Sequence, residues 1–366
     1  MHQSFISICV ATTLLAATGA AASAGELDEL LAKALEDRSV PAMAVLVIRD
    51  GRIAEQAVRG VRAAGGQDPA RPDDAWHIGS DGKAMTATLI ARLVERGTLS
   101  WSAPLKSMLP ALSMRPEYAD VTLVELLSHR AGLPPNVDEK LIEATRDDPR
   151  PLMLLRQIYA KQALNDAPVG PPRAAANYSN SGYMIAAAIA ERATGKPYET
   201  LMREEVFAPL GMTVDTSAAK PGQTLGHEAG KPLSGAKSDI PPFFAPAGAT
   251  MRLTMRDWAA FAIDQMAGER GQGKLLKASS YTFLHTAQGD TPSALGWGVK
   301  SNWPADAPIR MLMHAGSNGY WNALIGLAPD SMGAVLVAAN AGDGSGAEAQ
   351  EKMVLMSLMP TLNKAK

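Results

Sequence analysis

The order of hydrophobic and polar positions along the chain predicts strands near both of its ends. A continuous apolar run at residues 42–48 is typical of a buried strand, and Asp50-Gly51 is a favoured pair for a tight hairpin turn. Residues 53–61 then have the pattern of the returning strand. Further strands are predicted near the C-terminus, at residues 311–314, 322–327 and 334–339. Strands joined by hairpins at both ends indicate one antiparallel sheet built from both termini.

Between these strand-rich ends the apolar positions follow a helical period. Residues Met85 to Val94 carry an apolar residue every three or four positions, and Gly97 marks the end of that predicted helix. Other helices are predicted at residues 27–35, 183–193, 258–266 and 347–359, and a long Pro/Gly-rich loop at residues 221–248.

The predicted fold class is therefore α+β, an antiparallel sheet with flanking helices and an inserted, mainly helical region. We expect one domain over residues 25–366, with an α/β part at about 25–78 and 245–366 and a helical part at about 79–244. A cleft between the two parts is the natural place for an active site.

Composition and charge restrict the function classes. The 366 residues are 46% hydrophobic and 20% charged, which is ordinary for a folded globular protein and argues against disorder. The net charge is −2 and no run of Lys and Arg occurs, so we do not expect nucleic acid as a partner.

Residues 1–24 have the features of a secretory signal peptide. An apolar stretch at residues 5–15 is followed by a tail of small residues that ends in Ala22-Ser23-Ala24, an A-x-A type cleavage site. The alternative is an uncleaved membrane anchor, because the uncharged run is almost long enough to span a bilayer. We expect an exported protein, periplasmic or secreted, with no membrane span once this segment is removed.

The single cysteine, Cys9, lies inside that segment. A mature chain that begins at Gly25 would contain no thiol, which excludes disulfides, cysteine nucleophiles and thiolate metal sites. We expect neither a cofactor nor a metal.

Three common catalytic motifs are absent. The chain has no G-x-S-x-G nucleophile elbow, and His227-Glu228 lacks the second histidine of H-E-x-x-H. The segment from Gly268 to Lys274 fits G-x-x-x-x-G-K, but Leu275 follows where a phosphate loop has Ser or Thr, and a predicted helix precedes it instead of a strand.

The pattern S-x-x-K occurs three times, at Ser80/Lys83, Ser217/Lys220 and Ser234/Lys237. Only Ser80 opens a strongly amphipathic predicted helix, because the other two pairs lie in Pro/Gly-rich segments. A serine at a helix start is close to unpaired backbone N–H groups, and a lysine three residues later lies on the same helical face. If burial or nearby cations lower its pKa, Lys83 can take the proton of the Ser80 hydroxyl.

Two further groups of residues can complete such a site. Tyr178 and Asn180 precede a predicted helix, and a phenol beside a lysine ammonium has its ionised form favoured, so Tyr178 could relay protons. Asn180 could bond both Lys83 and a substrate amide. Tyr178 can equally be a buried aromatic residue with a bonded hydroxyl, and Tyr320-Trp321-Asn322 repeats the Y-x-N pattern.

The second group follows a predicted strand, in the order His314, Ala315, Gly316 and Ser317. A glycine here lets a substrate lie close to the strand, and the backbone N–H of Ser317 could pair with that of Ser80 as an oxyanion hole. His314 can also be an ordinary, partly buried histidine.

Together these residues resemble the serine β-lactamase and penicillin-recognising superfamily, in particular its class C β-lactamase and D-Ala-D-Ala carboxypeptidase branch. The order S-x-x-K, Y-x-N and K/H-x-G is that of the superfamily. The resemblance covers roughly residues 35–340 and includes W-H-I-G-S at 76–80, L-L-S-H-R-A-G-L at 126–133, Y-S-N-S-G-Y at 178–183, F-A-P-L-G-M at 207–212, A-P-A-G at 245–248 and G-W-G at 296–298.

The resemblance implies a β-lactamase/transpeptidase-like fold and a serine hydrolase that acts through an acyl-Ser80 intermediate. It makes Lys83 the base or its helper and Tyr178 a proton relay, while Asn180, His314, Gly316 and Ser317 bind substrate. His129 matches a segment that is structural in the superfamily.

Two departures from the superfamily pattern affect the expected substrate. His314 and Ala315 stand where β-lactamases usually have Lys-Thr/Ser, which makes a poorer carboxylate site and favours a small ester, amide or peptide substrate. Gly82 stands where threonine is frequent. A class C type β-lactamase, a D-Ala-D-Ala carboxypeptidase and a catalytically inactive ligand-binding relative are the alternatives.

Overall fold

The computed structural model describes residues 24–36, 39–301 and 309–363. Its main sheet has six strands in the order β2-β1-β11-β10-β9-β8, and every neighbouring pair is antiparallel. The strands are β1 (Ala42–Arg49), β2 (Arg52–Gly60), β3 (Trp76–His77), β4 (Val214–Asp215), β5 (Gly226–Glu228), β6 (Lys231–Leu233), β7 (Arg252–Leu253), β8 (Gly298–Lys300), β9 (Met311–Ser317), β10 (Asn322–Ala328) and β11 (Gly333–Ala339).

The sheet is built from both ends of the chain, as the hydrophobic pattern predicts. Strand β1 pairs with β2 on one side and with the C-terminal strand β11 on the other, so Val45 lies opposite both Ala57 and Val337. The hairpin turn between β1 and β2 is at Asp50-Gly51, where both residues have positive φ. Positive φ at both central positions is the geometry for which Asp-Gly is favoured in such turns.

Each predicted helix is present, within a few residues of its expected bounds. The helices are α1 (Ala24–Ala34), α2 (Gly82–Glu95), α3 (Leu105–Met108), α4 (Leu123–Leu127), α5 (Glu139–Ala144), α6 (Leu152–Ala163), α7 (Asn180–Thr194), α8 (Tyr198–Met202), α9 (Ala208–Leu210), α10 (Met255–Gly268), α11 (Ala278–Leu284) and α12 (Ala347–Leu358). Short helical segments of three to six residues occur at Gly79–Asp81, Pro116–Tyr118, Arg203–Phe207, Ala236–Ser238, Pro242–Ala247, Pro329–Ser331 and Met359–Asn363.

Both faces of the sheet are covered because side chains alternate along each strand. In β1, Met43, Val45 and Val47 pack in a cluster with α1 and α12, whereas Leu46 and Ile48 belong to a larger cluster with α2, α7 and α10. Full burial of one such side chain stabilises the fold by about 1.5–3 kcal/mol. The larger cluster therefore holds α2, which begins beside the candidate nucleophile, against the face of the sheet that carries Leu46 and Ile48.

The region at residues 221–248 differs from the predicted long loop. It contains the short hairpin of β5 and β6 and the helical segments Ala236–Ser238 and Pro242–Ala247. Strands β3, β7 and β4 form a second small sheet. The hydrophobic pattern missed these elements because two or three residues are too few to show a period.

The larger buried cluster joins sheet residues such as Leu336 with residues of the helical region such as Ile185. The division of the chain into an α/β part and a helical part stays a prediction. Residues 1–23, which hold almost all of the predicted signal peptide, lie outside the described residues. Within residues 24–36, 39–301 and 309–363, no helix is both long and apolar enough to cross a bilayer.

Candidate active site

The candidate nucleophile, Ser80, lies in a single helical turn between strand β3 and helix α2. Gly79 precedes it with a φ of +50°, a conformation that side chains with a Cβ rarely adopt. A Cβ at Gly79 would lie 2.4 Å from the backbone nitrogen of Ser317. Only glycine therefore permits the backbone before Ser80 to lie directly against strand β9.

Two side chains donate hydrogen bonds to the hydroxyl of Ser80. Nζ of Lys83 lies 2.8 Å from Oγ of Ser80, and the hydroxyl of Tyr178 lies 2.7 Å from the same atom. Lys83 is on the first turn of α2, three residues after Ser80, whereas Tyr178 is 98 residues after Ser80. The fold thus brings together the three residues that the two sequence motifs single out.

The ammonium group of Lys83 is fully buried, with 0% of the residue exposed. It also donates to the carbonyl oxygen of Ala247 at 2.5 Å, and it lies 5.0 Å from the ring centre of Tyr178 and 5.6 Å from that of Tyr183. Burial lowers the pKa of Lys83 from its ordinary value of 10.5 to about 7, against an opposing effect of the Asp81 charge. Near neutral pH the amine is therefore available as a base.

Tyr178 is not ionised, although the neighbouring Lys83 predicts the phenolate form. Although 46% of its surface is exposed to solvent, protein atoms surround its hydroxyl and raise the pKa of Tyr178 to about 12, against the effect of the bond to Ser80. The expectation that Lys83 favours the phenolate is wrong, because burial of Tyr178 disfavours its charged form and outweighs the effects of its neighbours. Tyr178 is a neutral hydrogen-bond donor at physiological pH.

The ring of His129 packs against the ring of Tyr178. Its ring centre lies 4.5 Å from that of Tyr178, and its Nδ1 accepts a hydrogen bond from the backbone N–H of Ser179 at 3.1 Å. Burial, together with the charge of Lys83, lowers the pKa of His129 to about 3. A neutral histidine bonded to the backbone fits the structural part that the resemblance implies for this segment.

The backbone of strand β9 runs directly past Ser80. A Cβ at Gly316 would lie 2.0 Å from the carbonyl oxygen of Ile78 and 2.9 Å from the backbone nitrogen of Ser80. The Ser317 hydroxyl donates to Asp343 at 2.8 Å and accepts from the backbone N–H of Gly319 at 3.0 Å. The hydroxyl of Ser317 is thus occupied, and its backbone is the part that lies next to the nucleophile segment.

His314 lies on the same strand and is neutral. Its Nδ1 is 2.8 Å from the carbonyl oxygen of Gly296, so Nδ1 carries the proton and Nε2 is left as an acceptor. Burial and the charge of Lys83 lower the pKa of His314 to about 4. Ala315 beside it is exposed.

Asn180 begins helix α7, and its contacts differ from the sequence prediction. Its side-chain amide donates to Oδ1 of Asn136 at 3.0 Å, whereas the second bond of Lys83 goes to the carbonyl of Ala247. The expectation that Asn180 bonds Lys83 is therefore corrected. Asn136 and Ala247 were missed, because a loop side chain and a main-chain carbonyl leave no motif in the sequence.

Gly82 stands where threonine is frequent in the superfamily. A Cβ here would lie 3.0 Å from the sulfur of Met251, a flexible side chain, and 3.6 Å from the Cα of Gly248, which is an ordinary contact distance. The packing around this position therefore does not require glycine. The other two S-x-x-K pairs are exposed at both positions, in the loops around Ser217 and Ser234.

The chain is similar to known proteins. The beta-lactamase family model matches residues 27–356. Penicillin-binding protein 4 of Amycolatopsis lactamdurans is 30% identical over 72% of this chain and 71% of its own length. Esterase EstB of Burkholderia gladioli is 31% identical over 53% of this chain and 51% of its own length.

Solved structures agree on the fold. The octameric penicillin-binding protein homologue from Pyrococcus abyssi has a TM-score of 0.75 and 22% identity, over 93% of this chain and 77% of that one. The curated relatives extend beyond the match, since this chain spans between 30% and 71% of their lengths. The family match nevertheless covers most of this chain, which therefore belongs to the beta-lactamase family.

Proposed function

We propose that this protein is a serine hydrolase that cleaves an ester or amide through an acyl-Ser80 intermediate. The observation that carries the proposal is the convergence of Lys83 and Tyr178 on Oγ of Ser80, at 2.8 and 2.7 Å. A nucleophile within hydrogen-bond reach of a base whose pKa lies near 7 is the arrangement that acyl transfer at neutral pH requires.

In the first step, the Ser80 oxygen attacks the carbonyl carbon of the substrate, and its proton passes to the neutral amine of Lys83. The backbone N–H groups of Ser80 and Ser317 would stabilise the negative charge that develops on the carbonyl oxygen. When the tetrahedral intermediate collapses, the bond to the leaving group breaks. Tyr178 then passes a proton to that group and regains one from the Lys83 ammonium.

In the second step, water attacks the acyl-Ser80 ester and the same groups act in the reverse direction. Lys83, through Tyr178, accepts a proton from the water, and the Ser80 oxygen leaves and recovers its proton. The products are the free acid and the alcohol or amine, and no other reactant is needed.

The strand that borders the site favours a substrate without a carboxylate next to the scissile bond. With its pKa near 4, His314 is uncharged at neutral pH, and Ala315 presents a methyl group. This pair offers neither a cation nor a hydroxyl to a substrate carboxylate. The likeness to an esterase over half of the chain supports the same substrate class.

We expect this substrate class to appear as a preference between two esters that differ by one carboxylate. Phenyl acetate should be hydrolysed with a kcat/KM at least about tenfold higher than that of 3-acetoxybenzoate. The reason is that the site offers no group to offset the free energy of removing the extra carboxylate from water. The measurement is initial rate against substrate concentration for both esters. Equal values would contradict the preference.

The acylation itself is tested by intact mass after exposure to a fluorophosphonate and to penicillins. A stoichiometric fluorophosphonate adduct, together with turnover of aryl esters, supports the proposal. A stable penicilloyl adduct without turnover would favour a D-Ala-D-Ala carboxypeptidase, and rapid release of hydrolysed penicillin a β-lactamase. Absence of any adduct or hydrolysis would indicate a catalytically inactive relative.

The pH dependence of kcat/KM provides a further prediction. Because Lys83 acts as a base only when deprotonated, activity should rise about tenfold per pH unit below its pKa of about 7 and then level off. Tyr178, with its pKa raised to about 12, should cause no decline up to about pH 10. The measurement is kcat/KM for phenyl acetate from acidic to alkaline pH, corrected for spontaneous hydrolysis.

A midpoint near neutral pH could also arise from a histidine, and His314 in the site provides the control. His314 is already neutral there, so His314→Gln should leave the midpoint in place even where it lowers the rate. A midpoint that disappears in this variant would assign the titration to His314 instead of Lys83.

A further inference from the structure

One buried carboxylate, Asp239, lies at the junction of the backbone segments that surround Ser80. Only 4% of this residue is exposed. It follows the helical segment Ala236–Ser238, in the region where the sequence pattern predicts a long loop. Its two oxygens contact three segments that are far apart in the chain, and each segment contains or adjoins a group of the candidate site.

The first contact leads to the nucleophile through His77. Nε2 of His77 lies 3.1 Å from Oδ2 of Asp239, and Nδ1 on the other side of the ring accepts from the backbone N–H of Gly79 at 3.0 Å. Nδ1 is thus the acceptor and Nε2 carries the proton. The contact with Asp239 is electrostatic, because its geometry is not that of a linear hydrogen bond. Gly79 is the residue immediately before Ser80.

The second contact leads to Lys83. The backbone N–H of Thr250 donates to Oδ2 of Asp239 at 3.0 Å. Thr250 has a φ of +50°, a conformation that costs energy for a β-branched residue and persists only where contacts hold it. It lies three residues after Ala247, whose carbonyl oxygen accepts from Lys83.

The third contact leads to strand β9. Nδ2 of Asn318 donates to Oδ1 of Asp239 at 3.1 Å, and Oδ1 of the same amide accepts from the backbone N–H groups of Tyr320 and Trp321 at 3.0 Å. Asn318 therefore holds the turn that directly follows Ser317. The side chain of Asn318 is buried, so the bond to Asp239 is protected from solvent.

We propose that Asp239 is a positioning residue that sets the distance between Ser80, Lys83 and the backbone of Ser317. The inference rests on the proposed acyl transfer. The three contacts end three residues from Ser80, three residues from the Ala247 carbonyl that accepts from Lys83, and one residue from Ser317. Displacement of a reacting group by about 1 Å can cost about a hundredfold in rate. Burial alone would raise the pKa of Asp239, but His77 and the bonds from Asn318 and Ile240 lower it below its ordinary value. The carboxylate is therefore charged, and it accepts hydrogen bonds from Ile240, Thr250 and Asn318.

The test is the second-order rate constant for fluorophosphonate labelling of Ser80. It is measured on the full chain and normalised to the fraction of molecules that can be labelled. In Asp239→Asn the amide NH₂ must face groups that are themselves donors, so we expect the labelling rate to fall about tenfold to a hundredfold. For phenyl acetate, kcat should be lowered while KM stays within about threefold of the parent. His77 supplies a conservative pair of variants. His77→Asn keeps an acceptor for Gly79 and should be labelled faster than His77→Leu by about tenfold.

Asp264 provides the matched control, because it is also 4% exposed and accepts hydrogen bonds from the hydroxyl of Tyr281 at 2.5 Å and the backbone N–H of Lys274 at 2.6 Å, neither of which belongs to the candidate site. Asp264→Asn should lower the melting temperature without changing the labelling rate. The proposal is overturned if Asp239→Asn and His77→Leu are labelled within about twofold of the parent, or if Asp264→Asn is slowed as much as Asp239→Asn. If Asp239→Asn does not fold, the two His77 variants decide the question. An unlabelled parent would instead refute the acyl-Ser80 mechanism, and the positioning role with it.

Discussion

Replacement of Ser80 by alanine is expected to abolish fluorophosphonate labelling and to lower kcat/KM for ester hydrolysis by about 10⁴-fold or more. The variant lacks the oxygen to which both Lys83 and Tyr178 donate, so no acyl-enzyme can form. The loss should appear in kcat, since the groups that would bind the substrate are unchanged. Intact mass and initial rates on one preparation measure both effects.

The chain contains its own control for this substitution. Ser234 belongs to another S-x-x-K pair, and both it and Lys237 are exposed. Ser234→Ala should retain the labelling and the rate of the parent within about twofold. Labelling of Ser80→Ala at the rate of the parent, or its loss in Ser234→Ala, would show that the nucleophile is misassigned.

The sheet and the main helices could be predicted because each is long enough to show its period. Strand β1 is apolar up to Ile48, since both of its faces are covered, and Asp50-Gly51 has a turn geometry that suits a tight hairpin. Short strands such as β3 and β7 are held by their neighbours in space and leave no such pattern. Their pairing nevertheless sets the direction in which the chain enters the turn at Ser80.

Ser80 and Lys83 could be singled out because helix context separates them from the other two S-x-x-K pairs. Their electrostatics could not be predicted from spacing. The pKa of Lys83 depends on its complete burial, to which Tyr178 and Tyr183 contribute, and the neutral state of Tyr178 likewise follows from burial. Both properties arise because the fold brings together segments about a hundred positions apart.

Asp239 shows most clearly what a motif search omits. It lies in a Pro/Gly-rich stretch with no periodicity and belongs to none of the motifs. Its importance follows from three contacts with segments around residues 77, 250 and 318, which only the folded chain brings together. A residue that acts on backbone positions through other residues leaves no local pattern, because its partners are distant in sequence.

The burial that makes Lys83 a base also lowers the stability of the folded protein. A lysine whose pKa falls from 10.5 to about 7 on folding is held in a site that disfavours its charge. A methionine of similar length would fill the same space with no charge to bury. The active site is thus expected to be less stable than an inactive version of itself, as strained catalytic sites commonly are.

Lys83→Met is therefore expected to lose activity and to gain stability at acidic pH. Without the base, the labelling rate of Ser80 should fall about 10²- to 10⁴-fold. Below about pH 7, Lys83 is protonated in both the folded and the unfolded parent, so the full burial cost is present, and the variant should have a free energy of unfolding about 1–4 kcal/mol higher. Urea unfolding of both proteins at several pH values gives the difference.

The sign of the pH dependence distinguishes burial of charge from a change in packing. Between the folded pKa of about 7 and the ordinary value of 10.5, the unfolded parent binds a proton that the folded parent does not. The free energy of unfolding of the parent therefore rises relative to that of Lys83→Met by up to about 1.4 kcal/mol per pH unit, and the advantage of the variant shrinks. Lys237→Met, at an exposed lysine, should show neither effect. If the difference between Lys83→Met and the parent stayed constant from about pH 6 to about pH 9, Lys83 would not be the buried base that the mechanism requires.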